Sequence, residues 1–309
     1  MERFVVSNSP FLHSKNDINK MFLFVSIALV VPTIYGVMFF GLWSLLLVVT
    51  SIASCFLFEC LYNLIHTKKF MVDNFSFFVT ALILALSVPV KTPIFALVVS
   101  AFFAEFVVKM AFGGLGRNKF NPALLGRCFA GVICAGLSGE LYTLALNGDV
   151  YSSLAFGGSN SLTNLLIGQA VGGIGTTCTF IILLCYVFLV YSSVIDFKIP
   201  LIAMVSYFIV GIMFNNIETT IMNMLSGSFL FVSVFMITDP NTSPNNFISK
   251  IIYACLFGAL SALAWNVGTL GENTVFAVAL VCNVFAAIMD KYIVVKPLSV
   301  GGFRNAYKN

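Results

Sequence analysis

Three short polar segments interrupt an otherwise apolar chain, and they hold the residues that could bind a ligand. The first, residues 112–123, reads FGGLGRNKFNPA. Its glycines permit a tight turn and close approach of the backbone to a ligand, and Asn118 and Asn121 can present two amides to one ligand edge. Asn121 can also cap a helix that begins at Pro122. The segment therefore predicts either a ligand site or a tight interhelical loop with basic topology anchors.

The second segment, residues 172–179, reads GGIGTTCT and leads into an apolar run. Glycine-rich backbone at a helix N-terminus offers free N–H groups and the helix dipole to a phosphate, and a threonine hydroxyl here would lie beside that anion site. The lysine of a P-loop and its preceding strand are missing, so nucleotide hydrolysis is unsupported. The alternative is a turn whose threonines cap the next helix.

The third segment, residues 238–244, reads TDPNTSP. Asp239 can cap a helix that begins at Pro240, and Ser243 followed by Pro244 repeats the same device. The alternative is a capped loop that binds nothing.

Two single acids, Glu59 and Glu105, lie inside apolar runs. Lys109 follows Glu105 by four residues, a spacing that permits an ion pair on one helix surface, and Glu59 is near enough to a span end to snorkel. Either acid can instead lie on an ion path through the membrane. The spacing leaves both alternatives open.

The cysteines and histidines predict no metal site. The eight cysteines all lie in apolar runs and form no CxxC pair and no iron–sulfur or zinc spacing. They are expected to be small buried apolar side chains, the alternative being a cluster shared with another protein of a complex. With only His13 and His66, a haem held by two membrane histidines is not expected.

The elements that position these segments are predicted to be membrane helices. Of 309 residues, 60% are hydrophobic and 9% are charged, which excludes a soluble enzyme, a disordered protein and a nucleic-acid binder. Uncharged runs such as residues 21–58 are apolar on every face, unlike the alternating strands of a barrel. We expect an all-α integral membrane protein with ten spans: 21–42, 44–65, 74–89, 92–112, 122–138, 177–195, 199–215, 219–238, 248–267 and 273–293.

The basic residues orient these spans in the bilayer. With both termini in the cytoplasm, all 16 lysines and arginines except Lys91 lie on the cytoplasmic side. The predicted division is a cytoplasmic segment (1–20), a first five-helix repeat (21–138), an external loop (139–176), a second repeat (177–295) and a cytoplasmic tail (296–309). Five spans per half give the two halves opposite orientations, which is typical of inverted repeats.

Together the three segments resemble those of the family that contains RnfD, from the Rnf electron-transport complex, and NqrB, from the sodium-pumping NADH:quinone reductase. Residues 112–123 are similar to the family's GGLGxNxFNPA, residues 238–244 to its TDPxTSP, and residues 172–179 to its flavin-bearing GSxGETS. Residues 271–290 resemble the last family span. The likeness covers nearly the whole chain, and the length suits RnfD better than the longer NqrB.

The resemblance implies FMN joined through its phosphate to a threonine hydroxyl by a separate flavin transferase. Aligned glycines favour Thr177 over Thr176 for this attachment. The implied surroundings of the FMN are Gly172, Gly173, Gly175 and Thr176. The chain departs from the family pattern here, with Gly173 and Cys178 in place of serines and Thr176 in place of glutamate.

The resemblance also implies a noncovalent riboflavin, expected near Asn118 and Asn121, with Asp239 as a further candidate. Before the third span the chain reads VDNFSFFVT where many members have DGSAVVT, so Asp73 and Asn74 compete for the acidic position.

The implied function is that of a flavin-carrying subunit of a ferredoxin:NAD oxidoreductase complex in the cytoplasmic (inner) membrane of a prokaryote, not catalytic alone. Electrons would pass from a neighbouring protein's covalent FMN to the FMN here and inward through riboflavin, coupled to movement of Na⁺ or H⁺. The implied partners are the other Rnf proteins, of the A, B, C, E and G types. No acid–base catalytic residue is expected. The alternative is a cofactor-free secondary transporter or channel with inverted repeats.

Overall fold

A computed structural model describes residues 18–67, 75–110, 118, 120–136, 162–168, 172–225, 227–244, 246–267 and 273–292. The regular secondary structure in these ranges is entirely helical, as predicted. The first half contains α1 (Ile18–Phe40), α2 (Leu42–Thr67), α3 (Ser76–Ser87), α4 (Ile94–Phe102) with a π-helical continuation (Phe103–Met110), and α5 (Pro122–Gly136).

The second half begins with a short helix in the segment predicted as a loop. Its helices are α6 (Leu162–Ile167), α7 (Thr179–Tyr191), α8 (Lys198–Gly211), α9 (Ile217–Leu225), α10 (Gly227–Phe231) with a π-helical continuation (Val232–Met236), α11 (Phe247–Val267) and α12 (Asn273–Tyr292). Each of the ten predicted spans therefore contains a helix or a broken helix. The eighth is bent by 53° between α9 and the helix that follows it.

The helices fall into two length classes. Helices α1, α2, α11 and α12 are long and apolar enough to cross a bilayer, and the bent α9–α10 pair makes a fifth candidate. Helices α3, α5, α7 and α8 have 12 to 15 residues, about 18–22 Å at 1.5 Å per residue against a hydrocarbon core of about 30 Å. Non-helical backbone at membrane depth must be buried in protein, and residues 172–178 before α7 are buried.

Helix α3 forms the centre of the first half. Ten of its 12 residues are buried, and it packs against α1, α2 and α5. The outward faces of α1 and α2 instead expose large apolar side chains, among them Met38 and Leu42 at 81% each. Such a contiguous apolar surface is suited to lipid, so the chain has the exterior of a multi-pass membrane protein.

Both π-helical segments come directly before a predicted polar segment. Residues 103–110 precede the segment at 112–123, and residues 232–236 precede the segment at 238–244. A π-helical turn is wider than an α-helical one and is frequent at functional sites. The two polar segments therefore follow the two places where the helical repeat changes.

The two halves contact each other through helices that hold equivalent positions in the two predicted repeats. Helix α1 packs on α7 and α5 on α12, while α2 packs on α4 and α8 on α11 within the halves. The division into repeats at 21–138 and 177–295 stays a prediction. Most of the 139–176 loop, both terminal segments, and Asp73 and Asn74 lie outside the described residues.

Candidate functional site

The glycine segment before α7 packs against the end of α3. The N–H of Ile174 donates to the carbonyl of Val88 at 3.1 Å, and the N–H of Gly175 donates to that of Leu86 at 2.8 Å. These bonds satisfy carbonyls that a helix C-terminus leaves open. These two backbone N–H groups, expected to be free for a phosphate, are therefore engaged within the protein.

Glycine is required in this segment by the closeness of α3. A Cβ at residue 173 would lie 2.7 Å from the carbonyl oxygen of Ser87, and a Cβ at residue 175 would lie 2.7 Å from the Cβ of Leu86. Both distances are below any normal contact. The glycines thus permit two backbones to approach each other.

The three threonines of the segment have different hydrogen bonds. The Thr176 hydroxyl accepts from the N–H of Gly173 at 2.7 Å, and the Thr179 hydroxyl donates to the carbonyl of Leu225 at 2.7 Å. Thr177 is 0% exposed, and its Oγ1 has no partner within the described part of the chain. A buried unpartnered hydroxyl is rare enough to need an explanation.

The expected threonine cap of the seventh helix is not found. Helix α7 begins at Thr179, and its N-cap residue is Cys178, which makes no capping hydrogen bond with its side chain. The threonines before it instead shape the turn, through the bond between Thr176 and Gly173. The position of Thr177 is therefore not explained by helix capping.

Arg127, which charge counting assigned to the cytoplasmic end of the fifth predicted span, has its side chain buried inside the protein. It is 5% exposed, and its Nε donates to the carbonyl of Ser87 at 2.8 Å. Its Nη2 donates to Oδ1 of Asn273 at 2.5 Å, and the guanidinium carbon lies 4.6 Å from the ring centroid of Phe276. The charge therefore joins α3, α5 and α12.

A cavity of about 170 Å³ opens at the other end of α3, where Ser76 lines it. Three residues predicted to bind a ligand line this one cavity: Asn118, Asn121 and Asp239. For comparison, an enclosed cavity of about 150 Å³ can hold benzene. The structure thus brings the first and third polar segments together, whereas the glycine segment does not line this cavity.

Asn121 has the predicted capping role and one further contact. Its Oδ1 accepts from the N–H of Leu124 at 3.2 Å, and Pro122 is the first residue of α5. Its Nδ2 donates to the carbonyl of Met236 at 3.1 Å, 115 residues away. The cap is confirmed, and the same amide fixes the end of the second π-helical segment.

Asp239 caps a turn and not a helix. Its Oδ1 accepts from the N–H of Asn241 at 3.2 Å, and its Oδ2 accepts from the hydroxyl of Thr242 at 3.3 Å. No helix begins at Pro240, and the next one in the described part of the chain starts at Phe247. Burial raises the pKa of the Asp239 carboxyl to about 6, against these two bonds, which lower it. The predicted helix start was wrong, but the side chain lines the cavity.

Two polar atoms on residues that line the cavity lack a partner within the described part of the chain. These are the Ser76 hydroxyl and the Asn118 side-chain carbonyl, on side chains 4% and 6% exposed. Lys109 lines the same cavity and also contacts Glu59 and Glu105. The four-residue spacing predicted the pair of Lys109 with Glu105 but did not indicate that Glu59 joins them.

The chain matches one family along nearly its full length. Residues 5–299 fit the model described as NQR2, RnfD, RnfE family. The D-type subunit of the proton-translocating ferredoxin:NAD(+) oxidoreductase complex of Clostridium ljungdahlii is 27% identical over 94% of this chain and 94% of its own. The D-type subunit of the Na(+)-translocating ferredoxin:NAD(+) oxidoreductase complex of Acetobacterium woodii is 28% identical over 93% of this chain and 92% of its own.

A further relative belongs to a different complex. The B-type subunit of the Na(+)-translocating NADH-quinone reductase of Neisseria meningitidis serogroup A is 29% identical over 71% of this chain and 60% of its own. The resemblance inferred from the three polar segments is confirmed by these matches: the chain belongs to the NQR2, RnfD, RnfE family.

Proposed function

We propose that this chain is the flavin-carrying membrane subunit of an ion-translocating ferredoxin:NAD⁺ oxidoreductase complex. Two relatives that match it over more than nine-tenths of both chains are the D-type subunits of such complexes. The complex would lie in the cytoplasmic membrane of a prokaryote, with Rnf proteins of the A, B, C, E and G types as partners, and would move Na⁺ or H⁺. This chain would not be catalytic alone.

The observation that carries the flavin part of the proposal is the unpartnered hydroxyl of Thr177. An ester to a phosphate removes the hydroxyl proton, so a threonine whose hydroxyl is already a donor loses that bond when it is esterified. Thr179 donates to the carbonyl of Leu225 and Thr176 donates to the carbonyl of Gly173, whereas Thr177 has no such bond to lose. FMN attached through its phosphate is therefore best accommodated at Thr177.

The surroundings of Thr177 limit when the attachment can occur. The side chain is fully covered, and the segment is held to α3 by the bonds from Ile174 and Gly175. A flavin transferase cannot reach a covered hydroxyl. We therefore expect the modification to take place while this segment is away from α3, and the phosphate to be held afterwards by a rearranged segment.

A second, noncovalent flavin such as riboflavin would be held in the cavity at the opposite end of α3. The Asn118 carbonyl and the Ser76 hydroxyl are unpartnered there within the described residues, and such groups suit the donors and acceptors of a flavin ring edge. The two candidate sites are thus separated by a helix of 12 residues, about 18 Å long. Flavin supplies electron exchange that no side chain of this chain offers.

The test is covalent flavin on the denatured protein. The full chain is produced together with an active flavin transferase, and the denaturing gel is viewed under ultraviolet light. We expect a fluorescent band at 33.6 kDa that Thr177→Val abolishes. A matched control is Thr220→Val, because Thr220 is also 0% exposed with an unpartnered hydroxyl within the described part of the chain.

The outcomes separate the proposals. Loss of the band in Thr177→Val and its retention in Thr220→Val support attachment at Thr177. A band that persists in Thr177→Val moves the attachment to another residue. No band in the wild-type protein, with the transferase shown to act on another substrate, contradicts the flavin-carrying function and favours a cofactor-free transporter or channel.

A further inference from the structure

Three charged side chains form one cluster inside the membrane helices. Lys109 Nζ lies 3.1 Å from Glu59 Oε2 and 2.8 Å from Glu105 Oε2, with all three side chains at most 5% exposed. One ammonium therefore faces two carboxylates, so these three residues together keep one negative charge when both acids are ionised. Ionisable residues at membrane depth are costly and are functional candidates by default.

Glu105 is the member of the cluster that can take up a ligand. Its Oε1 has no hydrogen-bond partner in the described part of the chain, and the residue is 0% exposed. An ionised carboxylate oxygen that is buried without a donor costs more than a neutral acid. Glu105 also lies in the π-helical continuation of α4, a type of segment that is frequent at functional sites.

The position of Lys109 indicates which cation the cluster takes. Its ammonium lies between the two carboxylates, where a bridging metal ion would have to bind, so a metal ion would displace it. A proton needs only one oxygen and removes the remaining negative charge without moving Lys109. The geometry therefore favours a proton over Na⁺.

The cluster also has a route to water. Lys109 lines the cavity that contains Asn118, Asn121 and Asp239, which the predicted topology places on the cytoplasmic side. A hydronium ion in the cavity can give its proton to the cluster at Lys109, whose ammonium contacts Glu105 at 2.8 Å. Lys109 first passes one proton to Glu105, so that an N–H bond breaks and an O–H bond forms on the carboxylate. The hydronium then restores the ammonium, with one O–H bond broken and one N–H bond formed, and no electrons are transferred.

We propose that Glu105, held by Lys109 beside Glu59, is a proton-binding site within the membrane that exchanges with water in the cavity. This inference goes beyond the flavin-carrying function and does not depend on it.

The other elements packed against the π-helical segment add few charges near Glu105. Helices α3 and α4 carry no ionisable side chain. The ionisable side chains that the structure describes on α2 and α5 are Cys55, Glu59, Cys60, Tyr62, Arg127, Cys128 and Cys134. The side chain of His66, near the end of α2, lies outside the described ones. Cys55 is within electrostatic reach of Glu105, and Tyr62 contacts Phe106. Arg127 reaches Ser87 and Asn273 at the far end of α3.

The test is infrared difference spectroscopy of the full chain in lipid nanodiscs as the pH is varied. A protonated carboxylic acid in an apolar setting has a C=O stretch that ionisation removes. Asp239 contributes one such band, which Asp239→Asn identifies. We expect a second band to titrate in the wild-type protein and to disappear in Glu105→Gln. The matched control is Glu218→Gln, because Glu218 is an exposed acid at the start of α9 and its loss should leave the band unchanged.

A second variant keeps the proposal testable if Glu105→Gln does not fold. Glu59→Gln leaves one carboxylate for one ammonium, so Glu105 should bind its proton less tightly and the midpoint of the band should fall by at least one pH unit, a tenfold loss of proton affinity. If the midpoint of the Glu105 band does not move in Glu59→Gln, or if this band survives Glu105→Gln, the proposal is overturned.

The same band distinguishes a proton site from a sodium site. Its titration curves in sodium chloride and in choline chloride should coincide, and a midpoint that falls with rising sodium concentration would contradict a site reserved for protons.

Discussion

Asn121 joins the start of α5 to the end of the second π-helical segment. Its Nδ2 donates to the carbonyl of Met236 at 3.1 Å, and its Oδ1 accepts from the N–H of Leu124 at 3.2 Å. Both ends of the amide are therefore used, one for a helix cap and one for a contact between the two halves of the chain. Aspartate can replace the cap but has no donor for Met236. The position requires an amide and not merely a polar side chain.

We expect Asn121→Asp to lower stability by about 1–3 kcal/mol, since it leaves the buried Met236 carbonyl without its donor and adds a buried charge. Asn121→Ala should cost a similar amount through loss of the cap and the contact. The measurement is the thermal unfolding midpoint of the purified protein in detergent. Asn216→Ala serves as control because Asn216 is exposed. Midpoints for the two Asn121 variants that match this control would show that the contact is unimportant.

The glycine segment allows a second prediction from packing alone. Gly173→Ala would place a Cβ 2.7 Å from the carbonyl oxygen of Ser87, and backbone cannot give way as a flexible side chain does. Overpacking of this kind costs about 1–3 kcal/mol, and we expect covalent flavin yield to fall with it. Gly131→Ala is the control, because its Cβ would lie at an ordinary 3.5 Å from Arg127 and alanine favours the helix. Equal midpoints in the two variants would contradict the close approach.

The sequence predicted the helices better than their ends. A helix or a broken helix lies in each of the ten predicted spans, since lipid leaves the backbone no other partner. The predicted spans are longer than α3 and α7, because Val88 and Val194 are apolar and buried yet lie beyond the helix ends. An apolar residue buried in a loop and one in a helix look alike in a sequence.

The candidate site was predicted in part. Asn118, Asn121 and Asp239 were chosen separately from two segments, and the structure shows that they line one cavity. The sequence did not indicate that Lys109 lines that cavity or that Arg127 is buried. Both were counted as cytoplasmic charges, because a basic residue near a span end has the same pattern whether it faces water or a buried carbonyl.

Arg127 should be far more sensitive to substitution than an ordinary basic residue. Lysine keeps the charge but cannot reach both Ser87 and Asn273 with one ammonium, and each hydrogen bond to a charged group is worth about 1.5–3 kcal/mol. We expect Arg127→Lys to lower the thermal midpoint and Arg127→Met to lower it further. Lys250→Met is the control, because the Lys250–Asp196 pair is about a quarter exposed and such pairs contribute about 0–1 kcal/mol. A decrease of the thermal midpoint in Lys250→Met as large as that in Arg127→Met would contradict the structural role of Arg127.

Asp239 gives the protein a pH dependence that can be assigned to one residue. Burial raises the pKa of its carboxyl from 3.8 to about 6 in the folded protein, against the lowering effect of the bonds from Asn241 and Thr242. The folded state thus holds this proton more tightly than the unfolded state does. Its contribution to stability is fully present below pH 3.8, is lost as the pH rises through about 6, and is constant above that.

Asp239→Asn keeps an acceptor for the Asn241 N–H but has no carboxyl to titrate. The stability of this variant should therefore not show the fall that Asp239 causes as the pH rises. We expect the thermal midpoint of the wild-type protein, relative to that of Asp239→Asn, to fall as the pH rises from about 4 to about 6 and then to level off. Titration of all other groups cancels in the comparison. Because Asp239 lines the cavity, the affinity for added riboflavin should change over the same pH range in the wild-type protein only. Midpoint curves that stay parallel across this range would show that the Asp239 carboxyl titrates alike in the folded and unfolded chains.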